Sequence, residues 1–269
     1  MLDIVIPSYN NSIVLSRCLA ALAMTVPGRH RLVIVDDGSA SPHKEQLART
    51  LAQFDREVLL LEHPHNRGFK EAVLTAMQHC HDRYVLLLND DTVPTRDFDL
   101  KLLHAIESDD RVKGVGPVSN HPTDLFQYRS PLRQIRFDDF DGPDAMLQHF
   151  ERVRPAGGLT EVPFLTGMCL LLDRAVFEQV GYFDGEYEHG YFEDLELCCR
   201  IRELGYRLLV HEECFVYHVG HETYKHKAKD EKHRIILRNF AIYERNWAHL
   251  PEHQELLDKM AYAGKEHPI

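Results

Sequence analysis

Nowhere in the 269 residues does an apolar run approach the ~20 that a membrane-spanning helix needs. The opening Met1-Leu2-Asp3-Ile4-Val5-Ile6-Pro7 lacks the charged start and apolar helix of a signal peptide, and reads as a strand. Basic residues are in deficit. The 31 Lys and Arg face 42 Asp and Glu, and a formal charge of −11 excludes a general nucleic-acid-binding surface while leaving local basic pockets open. The six cysteines, at 18, 80, 169, 198, 199 and 214, form no Cys-x-x-Cys pair and no framework spacing, which excludes a disulfide scaffold. Free thiols in a reducing compartment are expected, hence a bacterial-type cytoplasmic protein. Internal repeats and low-complexity tails are absent as well. What is there is ordinary for a globular chain: 44% apolar and 27% charged residues, enough for one large α/β domain or two packed lobes.

The first half alternates short apolar runs with amphipathic stretches. Residues 2–7, 32–36, 58–62, 84–89 and 112–118 read as strands. Residues 12–24, 42–54, 69–79 and 97–108, apolar at intervals of three and four, read as helices. Near-continuous apolar strands alternating with helices imply a mainly parallel, doubly wound sheet. From 119 to about 160 the pattern breaks, with Pro117, Pro122, Pro131, Pro143, Pro155 and Gly142, Gly157, Gly158 marking an irregular segment that suits a lid or binding loop. Periodicity returns with a strand at 165–172, helices at 174–180 and 195–204, and strands at 207–210 and 214–218. Gly205 suits a C-cap, a polar stretch follows at 221–233, and a last helix is expected around 235–247.

Ligands in such sheets sit beyond the carboxyl ends of the strands. Here those ends carry Pro7-Ser8-Tyr9-Asn10, Asp36-Asp37-Gly38-Ser39, His63 to Gly68, and Asn89-Asp90-Asp91-Thr92. Paired carboxylates closing an apolar strand are costly unless something positive meets them. Asp90 and Asp91 therefore suit a hard divalent cation beside a phosphorylated ligand, or else simply cap the next helix. Asp36 and Asp37 suit a base N–H or ribose hydroxyls, or a tight Asp-Gly turn. Glu193-Asp194, after a loop holding His189, Gly190, Tyr191 and Phe192, suits a general base or a charged first helical turn. His218 ends an apolar strand and could complete a metal site, with His221 three residues on; a structural histidine is the bland alternative. Asn66-Arg67-Gly68 either sets a guanidinium near phosphate or only turns the chain.

Taken in order and spacing, these elements resemble the inverting glycosyltransferases of family 2, which have the GT-A fold. The resemblance spans roughly residues 2–220. Val5-Ile6-Pro7-Ser8-Tyr9-Asn10 is similar to that family's opening strand and nucleotide loop, Val35-Asp36-Asp37-Gly38-Ser39 to its base-binding element, and Asn66-Arg67-Gly68-Phe69 to its third-strand turn. Leu88-Asn89-Asp90-Asp91-Thr92 resembles the D-x-D-type metal motif, with Asn89 in the first acid position. Phe192-Glu193-Asp194-Leu195-Glu196 resembles the E-D element, and Val216-Tyr217-His218 the strand-end histidine.

The resemblance implies a GT-A-type, Rossmann-like nucleotide-binding sheet with an acceptor-side subdomain and a C-terminal helical extension. Residues 1–118 would be the nucleotide-sugar half, 119–220 the acceptor-binding and catalytic half, and 221–269 the extension. It implies Asp91 as chief ligand of Mn²⁺ or Mg²⁺ with His218 beside it, Asp90 near the sugar or ribose, and Asp194 as catalytic base next to Glu193. Pro7, Ser8, Tyr9, Asn10, Asp36, Asp37, Asn66, Arg67, Gly68 and Asn89 would line the nucleotide. The donor would be UDP-linked, or next dTDP-linked, and the acceptor a glycan or lipid-linked hydroxyl in bacterial surface-polysaccharide assembly. The Q-x-x-R-W element of processive relatives is missing, Tyr243-Glu244-Arg245-Asn246-Trp247 being no match, so transfer of a single sugar is expected. The basic cluster Lys225, Lys227, Lys229, Lys232 and Arg234 would suit peripheral contact with the inner face of a membrane, or simple solvation.

Other readings remain. A sugar-phosphate nucleotidyltransferase would need a Gly-rich loop with a basic residue after the first strand, and residues 7–12 contain neither Gly nor Lys. A non-catalytic carbohydrate-binding or scaffold protein would have little reason to keep Asp91 and Asp194 together. A metal-dependent hydrolase would consume donor without acceptor.

Overall fold

The computed structural model describes residues 1–26, 30–54, 57–152, 157–188, 190–220 and 229–266. Among the described residues nine strands form one sheet: β1 (Asp3–Ser8), β2 (Arg31–Asp36), β3 (Val58–Glu62), β4 (Tyr84–Leu88), β5 (Thr92–Pro94), β6 (Val112–Val118), β7 (Leu159–Glu161), β8 (Cys169–Asp173) and β9 (Arg207–His218). The helices are α1 (Ser12–Thr25), α2 (Ser41–Ala52), α3 (Phe69–Met77), α4 (Phe98–Ile106), α5 (Pro143–Arg152), α6 (Arg174–Gln179), α7 (Glu193–Glu203), α8 (Lys229–Trp247) and α9 (His253–Glu266).

The strand order is β3-β2-β1-β4-β8-β6-β9-β5, with β7 on β9. The first four are parallel, so β1, β2, β3 and β4 all end at one edge. β8 runs antiparallel between β4 and β6, which carries the sheet across residues 118/119 without a break. Both faces are covered, and strand alternation feeds both. Ile4, Ile6, Leu86 and Leu88 pack with Leu15, Leu19 and Phe98 of α1 and α4, while Val5, Val85 and Leu87 pack with Ala72, Val73 and Phe177 of α3 and α6. This is why these strands read as unbroken apolar runs rather than alternating ones.

Several expected elements differ, the last helix among them, which starts at Lys229 rather than near 235. The strand expected from 165 begins only at Cys169, because side chains take the preceding N–H groups: Cys198 Sγ that of Leu165, Gln127 Oε1 that of Thr166, and Asp194 Oδ2 that of Gly167. The helix expected at 195 starts at Glu193, so both acids lie in its first turn. The two strands expected at 207–210 and 214–218 are a single strand whose register against β6 slips between Pro117 and Val118. The irregular segment contains three 3₁₀ turns (Pro122–Gln127, Ser130–Gln134 and Phe137–Asp139) before α5 and β7. The extension holds a second helix, α9, which lays Lys259 Nζ 4.6 Å from the centre of the Phe126 ring. All six cysteines are buried free thiols, and no helix among the described residues is long and apolar enough to cross a membrane.

Candidate functional site

The ends of β1 and β2 are tied together before any ligand is considered. Asn10, at φ 55°, donates its backbone N–H to Ser39 Oγ (2.8 Å) and accepts the Ala40 N–H on its Oδ1 (2.8 Å). The Ser8 carbonyl accepts the Asp37 N–H at 2.8 Å, in register with Pro7 opposite Val35. Gly38 sits at φ +79°, where a Cβ would come within 2.3 Å of the His65 carbonyl carbon, so only glycine lets the second and third loops close on each other.

Within the first acid pair the two carboxylates have different work. Asp37 is buried and saturated: Oδ1 meets His63 Nδ1 at 2.6 Å and the Arg67 N–H at 2.9 Å, and Oδ2 accepts the Gly68 N–H at 2.7 Å. Asp36 Oδ2 lies 3.4 Å from Lys44 Nζ, a residue that the sequence did not single out. Arg67 contributes its backbone here, while its guanidinium pairs with Glu71 at 2.8 Å on the exposed side of α3. Asn66 is half-buried beside it.

The second pair is completed from a distant part of the chain. Asn89 donates its N–H to the Met168 carbonyl and accepts the Thr92 hydroxyl on its own, which closes a tight turn after β4. Asp90 Oδ1 lies 3.5 Å from Asn11 Nδ2. β5 then pairs antiparallel with the end of β9, Thr92 opposite His218, and the Val219 N–H reaches the Asp91 carbonyl at 3.0 Å. That register sets His218 Nε2 3.3 Å from Asp91 Oδ1. The other ring nitrogen, Nδ1, lies 3.0 Å from both oxygens of Asp124. Asn120 fixes the backbone of His218 by exchanging two hydrogen bonds with it, and the Ser119 hydroxyl donates to Asp124. His121, Asp124 and His218 offer donor atoms within 4.8 Å of one another, all buried. Burial alone would lower the His218 pKa, but the carboxylates of Asp124 and then Asp91 outweigh it and hold the imidazole well above its ordinary range. Burial would likewise raise the Asp124 carboxyl, yet His218 keeps it low.

The third pair opens α7. The chain enters through Gly190, Tyr191 and Phe192 at φ 106°, 69° and 73°, three consecutive residues in the left-handed region. For the two aromatic residues that conformation costs on the order of 1–3 kcal/mol each and persists only where the surroundings enforce it. Asp194 Oδ2 accepts the Gly167 N–H (2.8 Å) and Oδ1 the N–H of Leu195 (2.9 Å). Burial raises its carboxyl against those bonds, and Asp124 is close enough to add to the rise. Glu193 is 5% exposed, its Oε2 has no hydrogen-bond partner, and burial followed by the charge of Asp194 pushes its carboxyl up to about 8. Lys70 donates toward the carbonyls of Asp184, Gly185 and Tyr187 at 3.3–3.4 Å, holding the loop before it.

A sequence model of the family "Glycosyl transferase family 2" matches residues 3–181, more than half of the chain. The chain belongs to this family. Among curated relatives of this family 2 chain, the pre-mycofactocin glycosyltransferase of Mycobacterium tuberculosis (strain H37Rv) is 29% identical over 220 residues, 82% of this chain and 43% of the relative. The uncharacterized protein y4gI of Sinorhizobium fredii is 23% identical over 252 residues, 92% of this chain and 27% of the relative. The chain thus spans less than half the length of these relatives. Two solved structures share the fold of the family 2 chain. The mannosyltransferase PcManGT of Pyrobaculum calidifontis, in complex with GDP-Man and Mn²⁺, has a TM-score of 0.66 at 18% identity, covering 97% of this chain and 69% of its own. GalNAc-T7 with UDP, GalNAc and Mn²⁺ has a TM-score of 0.63 at 17% identity, covering 81% and 43%.

In this family 2 chain, then, the fold brings Ser8, Asn10, Asp36, Asp37 and Gly68 into one set of interlocked loops and joins Asp91 to His218. Sequence reasoning passed over Asn11, Lys44, Asn120, His121 and Asp124. The last three follow directly on the end of β6, so the rule that ligands gather beyond strand ends applied to them too; prolines on either side drew attention to the irregularity instead. His189, His221, Lys225 and Lys227 lie outside the described residues. Arg234, expected in a membrane-facing cluster, pairs with Glu188 at 3.2 Å.

Proposed function

We propose that the protein is an inverting glycosyltransferase that moves one sugar from a nucleotide-diphosphate sugar to a hydroxyl of a glycan or lipid-linked acceptor. The observation that carries this reading is the meeting of Asp91, in the turn between β4 and β5, with His218 at the end of β9, 3.3 Å apart, with the far nitrogen of the imidazole on Asp124. Metal-binding histidines are oriented in just this way, by a carboxylate on the second ring nitrogen. The donor set of one carboxylate and one imidazole fits Mn²⁺, with Mg²⁺ as the harder alternative. Asp91 and His218 would hold the ion, and it would supply positive charge to the departing diphosphate. Asp90, fixed by Asn11, would face the sugar or ribose. Pro7, Ser8, Tyr9, Asn10, Asp36, Asn66 and Asn89 would line the nucleotide, with Asp37, Arg67 and Gly68 bracing them from behind.

Asp194 is the general base in this reading. Each of its oxygens takes one backbone N–H and keeps a lone pair, which fixes the carboxylate's direction while leaving it able to accept the acceptor's proton. Attack then comes from the face opposite the diphosphate, inverting the configuration. A second acid is not needed, because diphosphate is already a good leaving group. Titration calorimetry with UDP, dTDP, GDP and CDP, each with and without Mn²⁺, tests the proposal. Metal-dependent binding of one nucleotide, UDP being expected first and dTDP next, that is lost in Asp91→Ala supports it. No binding of any nucleotide by folded protein would sink it and favour a scaffold. Acceptors assayed should reach beyond bacterial surface polysaccharides to pre-mycofactocin, for which a relative is named.

A further inference from the structure

Asn239 lies mid-way along α8, fully buried, and its side chain serves another segment. Its Oδ1 accepts the Glu188 N–H at 3.2 Å, and its Nδ2 points at the carbonyls of Glu188 (2.9 Å), Gly190 (2.8 Å) and Tyr191 (3.0 Å). One amide therefore grips four backbone groups of the loop that leads into α7. Four further contacts from the same helix hold that loop. The Phe192 ring packs on Phe240 and Tyr243, centroids 5.6 and 5.8 Å away, one and four residues after Asn239. The Glu188 carboxylate is paired with Arg234 and Arg238.

Two of the gripped residues, Gly190 and Tyr191, lie in the left-handed region at φ 106° and 69°, and Phe192, held through its ring, follows at 73°. Left to itself, a Tyr-Phe pair would leave that region. The next two residues are Glu193 and Asp194, so a change of dihedral angle at 190–192 swings the first turn of α7 and pulls Asp194 Oδ2 from the Gly167 N–H. We infer that Asn239 is a positioning residue: it holds the strained loop, and through it the direction of the Asp194 carboxylate. The inference rests on the reading of Asp194 as the base. It also makes the C-terminal helix part of the catalytic apparatus, although α8 lies beyond the matched residues 3–181.

An amide that merely docked α8 would affect α8 and the loop but not a distant N–H. Gly167 supplies that distant reporter. Backbone-amide exchange followed by NMR, with kcat, donor KM and nucleotide Kd measured in parallel, is applied to Asn239→Ala, Asn239→Asp and the exposed control Leu237→Ala. The aspartate keeps volume and an acceptor for the Glu188 N–H but loses both donors. Expected in both Asn239 variants is at least tenfold faster exchange at Gly167, with amides of β1 and β2 unchanged. The kcat should fall 10- to 100-fold while KM and Kd stay within about threefold, and Leu237→Ala should match the wild type. Asn239→Ser, which keeps one donor, replaces the alanine if that variant fails to fold. Unchanged Gly167 exchange, or an unchanged kcat in Asn239→Asp, overturns the inference. If the wild type transfers no sugar, the proposed function fails, whereas the exchange measurement still decides whether Asn239 holds Asp194 in place.

Discussion

Replacing Glu193 by glutamine should stabilise the protein, and increasingly so as the pH rises. Glu193 is 5% exposed, its Oε2 has no hydrogen-bond partner, and burial with the neighbouring Asp194 pushes its carboxyl from 4.5 up to about 8. A carboxyl whose folded pKa is raised binds a proton on folding. Below about pH 4.5 it is neutral in both states and contributes nothing; between 4.5 and 8 the folded state alone holds the proton, and stability falls as pH rises. One pKa unit is worth ~1.4 kcal/mol, so the loss from pH 5 to pH 7.5 approaches roughly 3 kcal/mol. Glutamine keeps the shape, cannot ionise, and escapes that slope. Thermal unfolding of wild type and Glu193→Gln, both stripped of divalent metal, measures the difference. The two midpoints should nearly coincide at pH 5 and separate by roughly 8 °C at pH 7.5, the variant being higher. A gap that does not widen with pH would refute the claim that Glu193 is held protonated. A variant less stable than wild type throughout would mean that its oxygens have donors after all.

The same two acids separate under assay: Asp194→Asn should cut transfer roughly 10³-fold with nucleotide affinity unchanged, whereas Glu193→Gln should stay within about tenfold of wild type. Activity of more than a few per cent in Asp194→Asn would reassign the base. Asp124→Asn removes the anchor of His218 Nδ1, so Mn²⁺ affinity followed by electron paramagnetic resonance should weaken on the order of 10- to 100-fold; an unchanged affinity would leave Asp124 with no role in metal binding. Gly38→Ala forces a Cβ to within 2.3 Å of the His65 backbone at φ +79°, and should cost at least about 2 kcal/mol in denaturant unfolding and loosen nucleotide binding with it. A neutral Gly38→Ala would mean that the second and third loops separate easily.

The strand ends were legible because the physics that writes them is local. An apolar block such as Tyr84 to Leu88 is buried on both faces, and the first polar residues after it must lie at the edge. Asp36, Asp37, Asp90 and Asp91 are therefore placed by counting along one strand. Asp124 could not be found so. Its meeting with His218 depends on the pairing of β5 with β9 and on a 3₁₀ turn entered through Pro122, contacts between residues 94 positions apart. Asn239 is a single polar residue on an otherwise apolar helix face, and its partners are backbone groups that carry no sequence signature. The start of α7 was misplaced for a related reason: no Ser, Thr, Asp or Asn caps it, and the left-handed Phe192 stands at that position instead.

The three acid pairs look alike in the sequence, and what separates them is the supply of donors. Two adjacent buried carboxylates repel each other and each pays for desolvation, so each needs a partner of its own. Asp37 has an imidazole and two N–H groups while Asp36 has Lys44. Asp91 has His218 while Asp90 has Asn11. In the third pair the backbone donors, from Gly167 and Leu195, both go to Asp194. Glu193 is left without a bond to Oε2, and the proton goes there. Chemistry that needs one proton acceptor rather than two is served by that inequality: a neutral Glu193 spares Asp194 a second negative charge alongside it. The loop geometry that directs the donors, held from α8, thus also decides which of two adjacent acids can act as a base.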